Sequence, residues 1–272
     1  MTSDPRAEPS AERYDRLALP FVRAYTDLVL QDLDLPRAGG RILDHGAGTG
    51  EVTLEVHRRH PTAQITAVDP DRGMLDLLRA KAGADTSWLT LLHGTIDTTA
   101  VPISAEVTVS QLVLSLTADP SHELRALRRH TRPGGSLRVA VLGGPDRMRA
   151  FAGYWQAAST VIPGGAAAHA YPHLRYADPG RLRTDAGAAG WQSPRVEPAD
   201  TTRTVSGDQL WEWLSGTLPL YTGDGAVVDF TILDPVLVTD LREATTQQLA
   251  PYRVGAEEYT VPTGGWLLSA TA

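Results

Sequence analysis

A glycine-rich segment near residue 46 combines residue types that could bind a small ligand. Gly46, Gly48 and Gly50 alternate with Ala47 and Thr49 directly after a short apolar run. Glycine takes positive φ values without strain and lets the backbone come close to a ligand. A helix is predicted to follow, and the N-terminus of a helix presents free N–H groups and a partial positive charge. The segment therefore predicts a ligand-binding loop between a strand and a helix.

Two aspartates near this loop indicate the chemistry of the ligand. Asp44 stands two residues before Gly46, and Asp69 ends a second apolar run. A carboxylate at the first position suits an ammonium group, and one at the second can accept hydrogen bonds from the hydroxyls of an adenosine ribose. A dinucleotide fingerprint would require glycine where the chain has Glu51, whose charge would repel a pyrophosphate. The residues therefore predict an adenosine ligand without phosphate and with an amino-acid end, and S-adenosylmethionine fits that description.

Strands and helices alternate in the part of the chain that contains this loop. Short apolar runs predict five strands, at residues 41–44, 64–68, 88–92, 107–112 and 136–142. Helical spacing of apolar residues predicts helices at 51–60, 73–82 and 120–130. This alternation is typical of right-handed crossovers in a mostly parallel sheet. Ligands of such sheets bind beyond the carboxyl ends of the strands, where the glycine loop would lie.

Outside this alternation the pattern is looser and predicts additional elements above the sheet. These are an amphipathic helix at 14–33 with a break near Pro20, an irregular stretch at 151–178, a helix at 179–189, a strand at 195–205, a mainly helical region at 206–250 and a final strand at 259–271, bent at Gly264 and Gly265. Because no linker interrupts the chain, we predict one domain over 14–272 after a disordered tail at 1–13. Its cap would consist of the segments 14–35, 145–178 and 206–258.

The composition excludes several classes of protein. The chain of 272 residues contains no cysteine, which excludes disulfide scaffolds, thiolate zinc sites, iron–sulfur clusters and a cysteine nucleophile. Its formal net charge of −7 argues against a nucleic-acid partner, which would require a basic surface. No apolar run reaches the roughly 18 residues of a membrane helix. We therefore expect a cytoplasmic protein without nucleic-acid or membrane partners.

Five segments of the chain also resemble a known family. The segments are Ile42–Gly50, Val68–Pro70, Gly73–Leu75, Gly94–Ile96 and Arg132–Leu137. Together they are similar to the motifs of class I S-adenosylmethionine-dependent methyltransferases, and most similar to the small-molecule group that includes the quinone-biosynthesis C-methyltransferases. The resemblance is strongest over residues 41–142. It implies an α/β fold with a Rossmann-like, seven-stranded, mostly parallel sheet, helices on both faces and a partly helical cap.

The resemblance also implies which residues would contact the cofactor. They are Asp44, Gly46, Ala47, Gly48, Thr49, Gly50, Asp69, Pro70, Met74, Gly94, Thr95, Ile96 and Gln111. In this set Asp69 would bind the ribose, Met74 would pack on the adenine and Gln111 would lie near the methionine end. Family members have an aspartate at the position of Thr95, where it binds the adenine amino group. Here the hydroxyl of Thr95 or the carboxylate of Asp97 would have to make that contact.

The acceptor is expected above the carboxyl edge of the sheet, under the cap. Aromatic residues of the cap suit a mid-sized organic molecule, although the same residues could simply pack the cap onto the sheet. Candidate acceptor contacts are Tyr14, Tyr154, Trp155 and Trp211. His169 and His173 are the candidate catalytic bases, because histidine titrates near neutral pH. Pro172 lies between them and argues against a helical metal-binding pair, so no metal is expected.

The predicted reaction is methyl transfer from S-adenosylmethionine to oxygen, nitrogen or carbon of a small, apolar or aromatic metabolite. The chain is rich in Arg and has a single lysine, Lys81, a composition typical of GC-rich bacterial genomes. That origin favours a role in secondary metabolism. Two alternatives stay open at this point. One is an enzyme of the same fold that binds this cofactor and catalyses a cyclisation or rearrangement without methylation. The other is a non-catalytic binding protein, and the oligomeric state, a homodimer included, is also open.

Overall fold

The computed structural model describes residues 10–33, 39–99, 101, 104–162, 176–218, 220 and 233–272. The strands in chain order are β1 (Arg41–His45), β2 (Gln64–Asp69), β3 (Leu89–His93), β4 (Ala105–Gln111), β5 (Thr131–Leu142), β6 (Gln192–Ala199), β7 (Thr202–Ser206), β8 (Glu258–Pro262) and β9 (Gly265–Thr271). The helices are α1 (Ser10–Leu17), α2 (Leu19–Val22), α3 (Ala24–Val29), α4 (Glu51–Arg59), α5 (Arg72–Ala82), α6 (Pro120–His130), α7 (Arg149–Val161), α8 (Pro179–Ala188), α9 (Gly207–Thr217) and α10 (Pro235–Gln248).

Seven strands form the central sheet in the order β3-β2-β1-β4-β5-β9-β6. The first five pair in parallel, and β9 runs antiparallel to both β5 and β6. Asp44 of β1 is in register with Ala67 of β2 and Val109 of β4. The carboxyl ends of these three strands therefore meet at one edge of the sheet. The predicted seven-stranded, mostly parallel Rossmann-like sheet is confirmed.

Helices cover both faces of the sheet, and neighbouring strand residues alternate between the two cores. Ile42 belongs to the core that contains residues of α3 and α4, whereas Leu43 belongs to the core that contains residues of α6 and α8. Both side chains are fully buried. Burial on both faces is why these strands have continuous apolar sequences rather than alternating ones. The apolar runs in the first half of the chain predicted the strands for the same reason.

A third core lies in the cap, which is built from α1, α2, α7, α9, α10 and the two-stranded sheet of β7 and β8. Phe21 of α2 stacks on Trp213 of α9 with 3.6 Å between the ring centroids. Phe151 of α7 packs against the same tryptophan, at 5.1 Å. The cap therefore has a core of its own. Among the described residues, no helix has the length and apolar character required to cross a membrane.

Two predictions about helices were partly wrong. The segment predicted as a helix at 14–33 is interrupted on both sides of Pro20, which confirms the break predicted there, but it forms three short helices and the first begins at Ser10, inside the predicted disordered tail. Its Ala11 is buried against neighbouring elements, which tertiary packing decides and local sequence does not show. The stretch predicted as irregular includes most of the thirteen-residue helix α7, which begins at Arg149. Its buried residues, at positions 150, 151, 154, 155, 157 and 158, lie on one face at helical spacing, so the sequence did contain a helical signal that the prediction missed.

The strands predicted at 195–205 and 259–271 each divide into two strands that belong to different sheets. The chain crosses between the sheets at Thr201 and Thr263, where the backbone N–H of Thr263 donates to the carbonyl of Thr201 at 2.9 Å. The predicted bend at Gly265 lies at the second crossing. Glycine is required there because a Cβ would be 2.0 Å from the carbonyl oxygen of Val141. Continuous β-type sequence did not reveal that the strands change partners.

Candidate functional site

The glycine loop adopts the left-handed conformation that its sequence predicts. The φ angles are +68° at Gly46, +53° at Gly48 and +94° at Gly50, which is the N-cap of α4. A Cβ at the first position would lie 2.2 Å from Cγ2 of Val113, and one at the third would lie 2.2 Å from Cδ1 of Leu78. A Cβ on Gly48 would meet no atom within 4 Å. The outer glycines are therefore required for packing, whereas the middle one borders open space.

That open space belongs to a cavity that opens to solvent, with an empty volume of about 330 Å³ that includes the solvent space at its mouth. Its lining residues are Tyr14, Leu19, Asp44, Gly46, Ala47, Gly48, Thr49, Glu51, Val52 and Gln111. Most of them were predicted as cofactor contacts, and Tyr14 was predicted on the acceptor side. Leu19, Glu51 and Val52 were missed. The last two form the first turn of α4 and follow the glycine loop directly, which would have been a usable signal, whereas nothing in the sequence singles out Leu19.

Asp44 is buried in the wall of this cavity at the end of β1. Its Oδ2 accepts a hydrogen bond from Oγ1 of Thr53 at 2.5 Å. Burial raises the pKa of Asp44 to about 6, and the bond from Thr53 opposes that shift. A carboxyl group that is costly to ionise in the free protein gains from a cationic ligand, so this position suits an ammonium group.

Asp69, at the end of β2, is tied to the glycine loop by the backbone. Its Oδ2 accepts from the N–H of Gly48 and its Oδ1 accepts from the N–H of Asp71, both at 2.8 Å. The side chain is only 8% exposed, and burial raises its pKa despite these two bonds. Each carboxylate oxygen has two lone pairs, so both oxygens can accept a further hydrogen bond. This arrangement fits recognition of vicinal ribose hydroxyls.

Gln111 reaches the cavity from the end of β4, on the side away from β2. Its Oε1 accepts from Oγ1 of Thr26 at 3.1 Å, and its Nε2 donates to the carbonyl of Val22 at 3.3 Å. These bonds join the strand edge to α2 and α3. The N-terminal helices are thus held against the cavity by the same glutamine that was predicted near the methionine end.

The residues predicted to contact the adenine do not line this cavity. Met74 is half-buried at the start of α5, and Pro70 is exposed. Gly94 has φ of +140°, and its N–H donates to the carbonyl of Asp69. The side chain of Thr95 is exposed and bonded to Thr98 within its own turn. None of these residues lines the cavity described above.

Two assignments on this side do not agree with the structure. Ile96 is fully buried in the core beside α6, so its side chain does not flank an open site. The carboxylate of Asp97 is held by Nε2 of His122 at 2.6 Å and by Nη2 of Arg129 at 2.9 Å. It is therefore engaged with α6 and is a poor substitute for the family aspartate. Those partners are distant in sequence, so the sequence did not show them.

His45 lies beside Asp44 but belongs to a different set of contacts. Its Nδ1 is 3.1 Å from Oγ of Ser110, and its Nε2 is 3.2 Å from Oε2 of Glu123. Both His45 and Ser110 are buried. These contacts connect β1 with β4 and α6, and the histidine is not among the residues that line the cavity.

The candidate acceptor residues fall in three places. Tyr14 lines the cavity of the glycine loop, and its pKa is raised to about 12 by burial and by the charges of Asp69, Asp15 and Glu51. Tyr154 and Trp155 are buried in the core of the cap, so the structure does not bring them to that cavity.

Trp211 packs edge-on against Tyr154 with 6.2 Å between the ring centroids and lines a separate cavity between α9 and α10. That cavity has an empty volume of about 240 Å³. The candidate bases His169 and His173 lie outside the described residues. In the part of the chain that the structure describes, no three His, Asp or Glu residues are grouped so that they could hold a metal ion.

Comparisons with known proteins support the chemistry of this site. Residues 42–135 match a family model described as a methyltransferase domain. Malonyl-[acyl-carrier protein] O-methyltransferase of Halorhodospira halophila is 35% identical over 153 residues, which are 54% of this chain and 50% of that protein. Trans-aconitate 2-methyltransferase of Streptomyces avermitilis is 34% identical over 148 residues, which are 52% of this chain and 54% of that protein. The chain thus spans about half the length of the curated relatives it matches.

The fold comparison extends over most of the chain. A methyltransferase candidate from Bacillus halodurans superposes with a TM-score of 0.60, covering 90% of this chain and 97% of that one at 14% identity. This likeness concerns the fold. The matched segment 42–135 contains all but the first residue of β1, the glycine loop, Asp69 and Gln111, which are the parts that border or support the cavity. Residues 42–135 therefore match a methyltransferase domain, as the sequence predicted, and the comparisons support S-adenosylmethionine as the cofactor of that segment.

Proposed function

We propose that this protein transfers the methyl group of S-adenosylmethionine to oxygen, nitrogen or carbon of a small, apolar or aromatic metabolite. Oxygen is the first atom to test, because one relative is named as an O-methyltransferase. We further propose a cytoplasmic enzyme without a nucleic-acid partner, which the net charge of −7 supports.

The observation that carries the proposal is the placement of two buried carboxylates around an open glycine loop. Asp44 lines the cavity, and Asp69 is bonded to the N–H of Gly48 from the neighbouring strand. Open space begins where a Cβ on that glycine would be. An ammonium group near the first carboxylate and a ribose near the second would place the rest of the cofactor along the loop. The residues present therefore fit this cofactor.

The chain's own contribution to the reaction is alignment and exclusion of water. S-adenosylmethionine, when bound, supplies an activated methyl group, so little further activation of that group is needed. Asp44 and Asp69 would hold its two ends, and Tyr14 and Leu19 would cover it from the N-terminal helices. Correct alignment of the reacting atoms lowers the activation free energy, because their translational and rotational freedom is already lost on binding. An ionised carboxylate or phenolate acceptor requires no base, whereas a hydroxyl or carbon acid would require one.

The proposed function is tested by binding and then by turnover. Isothermal titration calorimetry is expected to show S-adenosylmethionine and S-adenosylhomocysteine binding in the micromolar range, and radiolabelled S-adenosylmethionine is expected to label an acceptor from a panel of carboxylates, phenols and amines. No binding at millimolar cofactor would favour a non-catalytic protein and contradict the proposal. Binding with conversion of an acceptor but no label transfer would instead favour the cyclisation or rearrangement alternative.

Substitution of Asp69 is expected to weaken cofactor binding. Asp69→Ala should raise the Kd for S-adenosylhomocysteine by a factor that corresponds to roughly 1–3 kcal/mol, because buried ribose hydroxyls and the N–H of Gly48 would lose an acceptor. Asp76→Ala is the matched control, since Asp76 is an exposed aspartate of α5 that does not line the cavity. Calorimetric titration of both variants measures the effect, and equal affinities would remove the ribose assignment.

A further inference from the structure

Helix α1 is attached to the glycine loop by a single carboxylate. Oδ1 of Asp15 accepts a hydrogen bond from Oγ1 of Thr49 at 2.6 Å, and Nζ of Lys81 donates to the same oxygen. Lys81 is in the last turn of α5 and is the single lysine of the chain. The three residues come from the N-terminal helix, the loop and the helix after β2. One carboxylate oxygen therefore connects three elements that surround the cavity.

Other contacts attach α1 to the cap. Ala11 and Leu17 are buried, and Tyr14 packs against the cap core. Arg16 pairs with Glu212 of α9 at 3.5 Å, between side chains that are 45% and 59% exposed, and an exposed pair of this kind contributes little to stability. The contacts of Asp15, by contrast, attach α1 to the glycine loop and to the end of α5, so they bear directly on whether α1 stays closed over the loop.

The position of α1 determines access to the cavity. Tyr14 in α1 and Leu19 in α2 line the cavity opposite the glycine loop. Asp15 is adjacent to Tyr14, and both its side chain and that of Lys81 are less than one third exposed, at 28% and 27%. This wall would cover a ligand held between the loop and Tyr14.

Lys81 also offsets the repulsion between Asp15 and the other carboxylates near the cavity. The cavity already contains the carboxyl groups of Asp44 and Glu51, and Asp69 lies behind the loop. A further carboxylate at Asp15 would be unfavourable here without a cation. The ammonium group of Lys81 neutralises Asp15, which can then accept the hydrogen bond from Thr49 in a partly buried position.

We propose that Lys81 and Asp15 form a clasp that holds α1 closed over the bound cofactor, with Lys81 acting as a positioning residue through Asp15 and Thr49. The ligand in this proposal is the one named under the proposed function, on which it rests. The clasp sets the rate at which the cofactor and its product exchange. It does not touch the acceptor or the transferred methyl group.

Dissociation kinetics test the clasp. The dissociation rate of S-adenosylhomocysteine, measured by displacement with excess S-adenosylmethionine, is expected to rise about tenfold in Asp15→Asn and in Lys81→Gln, since each removes one charge-assisted contact. The double variant should be no faster than either single variant, because both act on the same clasp. Once an acceptor is known, KM for S-adenosylmethionine should rise while kcat is retained. Arg79→Gln is the control, since Arg79 is on the same helix and its ion pair among the described residues is the local one with Asp76.

Wild-type protein provides a second measurement that does not depend on the folding of a variant. Because Lys81 is the single lysine, acetylation by an N-hydroxysuccinimide ester can be followed at one side chain by peptide mass spectrometry. Saturation with S-adenosylhomocysteine is expected to slow acetylation of Lys81 at least about fivefold, because a closed clasp keeps its Nζ bonded. Equal acetylation rates with and without ligand, additive rate effects in the double variant, or dissociation rates that match Arg79→Gln would each overturn the clasp. A wild-type protein that does not bind S-adenosylhomocysteine would instead overturn the proposed function.

Discussion

Gly48→Ala is expected to fold normally and to bind S-adenosylmethionine roughly 100-fold more weakly, near the upper end of the 1–3 kcal/mol that forced overpacking costs. The added Cβ would meet no protein atom within 4 Å, so the free protein has room for it. The same space is where the proposed cofactor lies against the loop. The methyl group would therefore collide with the ligand and not with the protein.

Gly83→Ala separates this steric effect from backbone strain. Gly83 follows α5, has φ of +82° and, like Gly48, has no atom within 4 Å of a Cβ position. Both alanines would have positive φ, and Gly83, with ψ of −159°, lies in a region that is essentially restricted to glycine, so its alanine should lose at least as much stability as Gly48→Ala. Thermal unfolding should show this loss in both variants, whereas titration calorimetry should show lost affinity only in Gly48→Ala. If the two variants bound the cofactor equally well, the loop would not be its binding surface.

The predicted site residues that the structure brings together are placed there by local geometry. The loop glycines and Asp44 lie within seven consecutive residues, and Asp69 ends the next strand. In a parallel sheet, consecutive strands that pair with each other bring their carboxyl ends together. Residue type and spacing were therefore sufficient to predict which side chains meet at this edge.

The contacts that the sequence did not predict join residues far apart in the chain. Asp15 and Thr49 are 34 positions apart, and Asp97 and Arg129 are 32 apart. Their pairing depends on how α1 and α6 pack, which no local pattern records. Glu51 was considered only as a residue that excludes a pyrophosphate, yet it lines the cavity and pairs with Arg23 at 2.6 Å. Local chemistry predicts the ligand, whereas tertiary packing determines how the ligand is enclosed.

Asp44→Asn is expected to raise the Kd for S-adenosylmethionine at pH 7 more than 100-fold, since loss of one partner of a buried charge pair costs about 3–5 kcal/mol. The free protein should respond in the opposite direction. Burial raises the pKa of Asp44 to about 6, so its ionised form destabilises the fold at pH 7. The asparagine avoids that cost, can still accept the hydrogen bond from Thr53 and should stabilise the unliganded protein by roughly 3 kcal/mol. Increased stability together with lost binding would exclude unfolding as the cause.

The pH dependence of cofactor affinity distinguishes a charged role of Asp44 from a purely steric one, because only the charged role makes the affinity fall as the pH is lowered. A carboxyl group with a raised pKa in the folded protein contributes stability below its unfolded pKa of about 3.9 and loses that contribution as the pH rises through about 6. The ammonium group of the cofactor favours the ionised form, so binding below pH 6 must release a proton from Asp44. The affinity of the wild type is therefore expected to fall about tenfold from pH 7 to pH 5. Asp44→Asn should retain only the smaller slope that arises from Asp69, whose pKa is also raised by burial.

Titrations in buffers of different ionisation enthalpy count the protons that are released when the cofactor binds. Proton uptake on binding, or an equal slope in the variant, would show that Asp44 does not pair with the ligand.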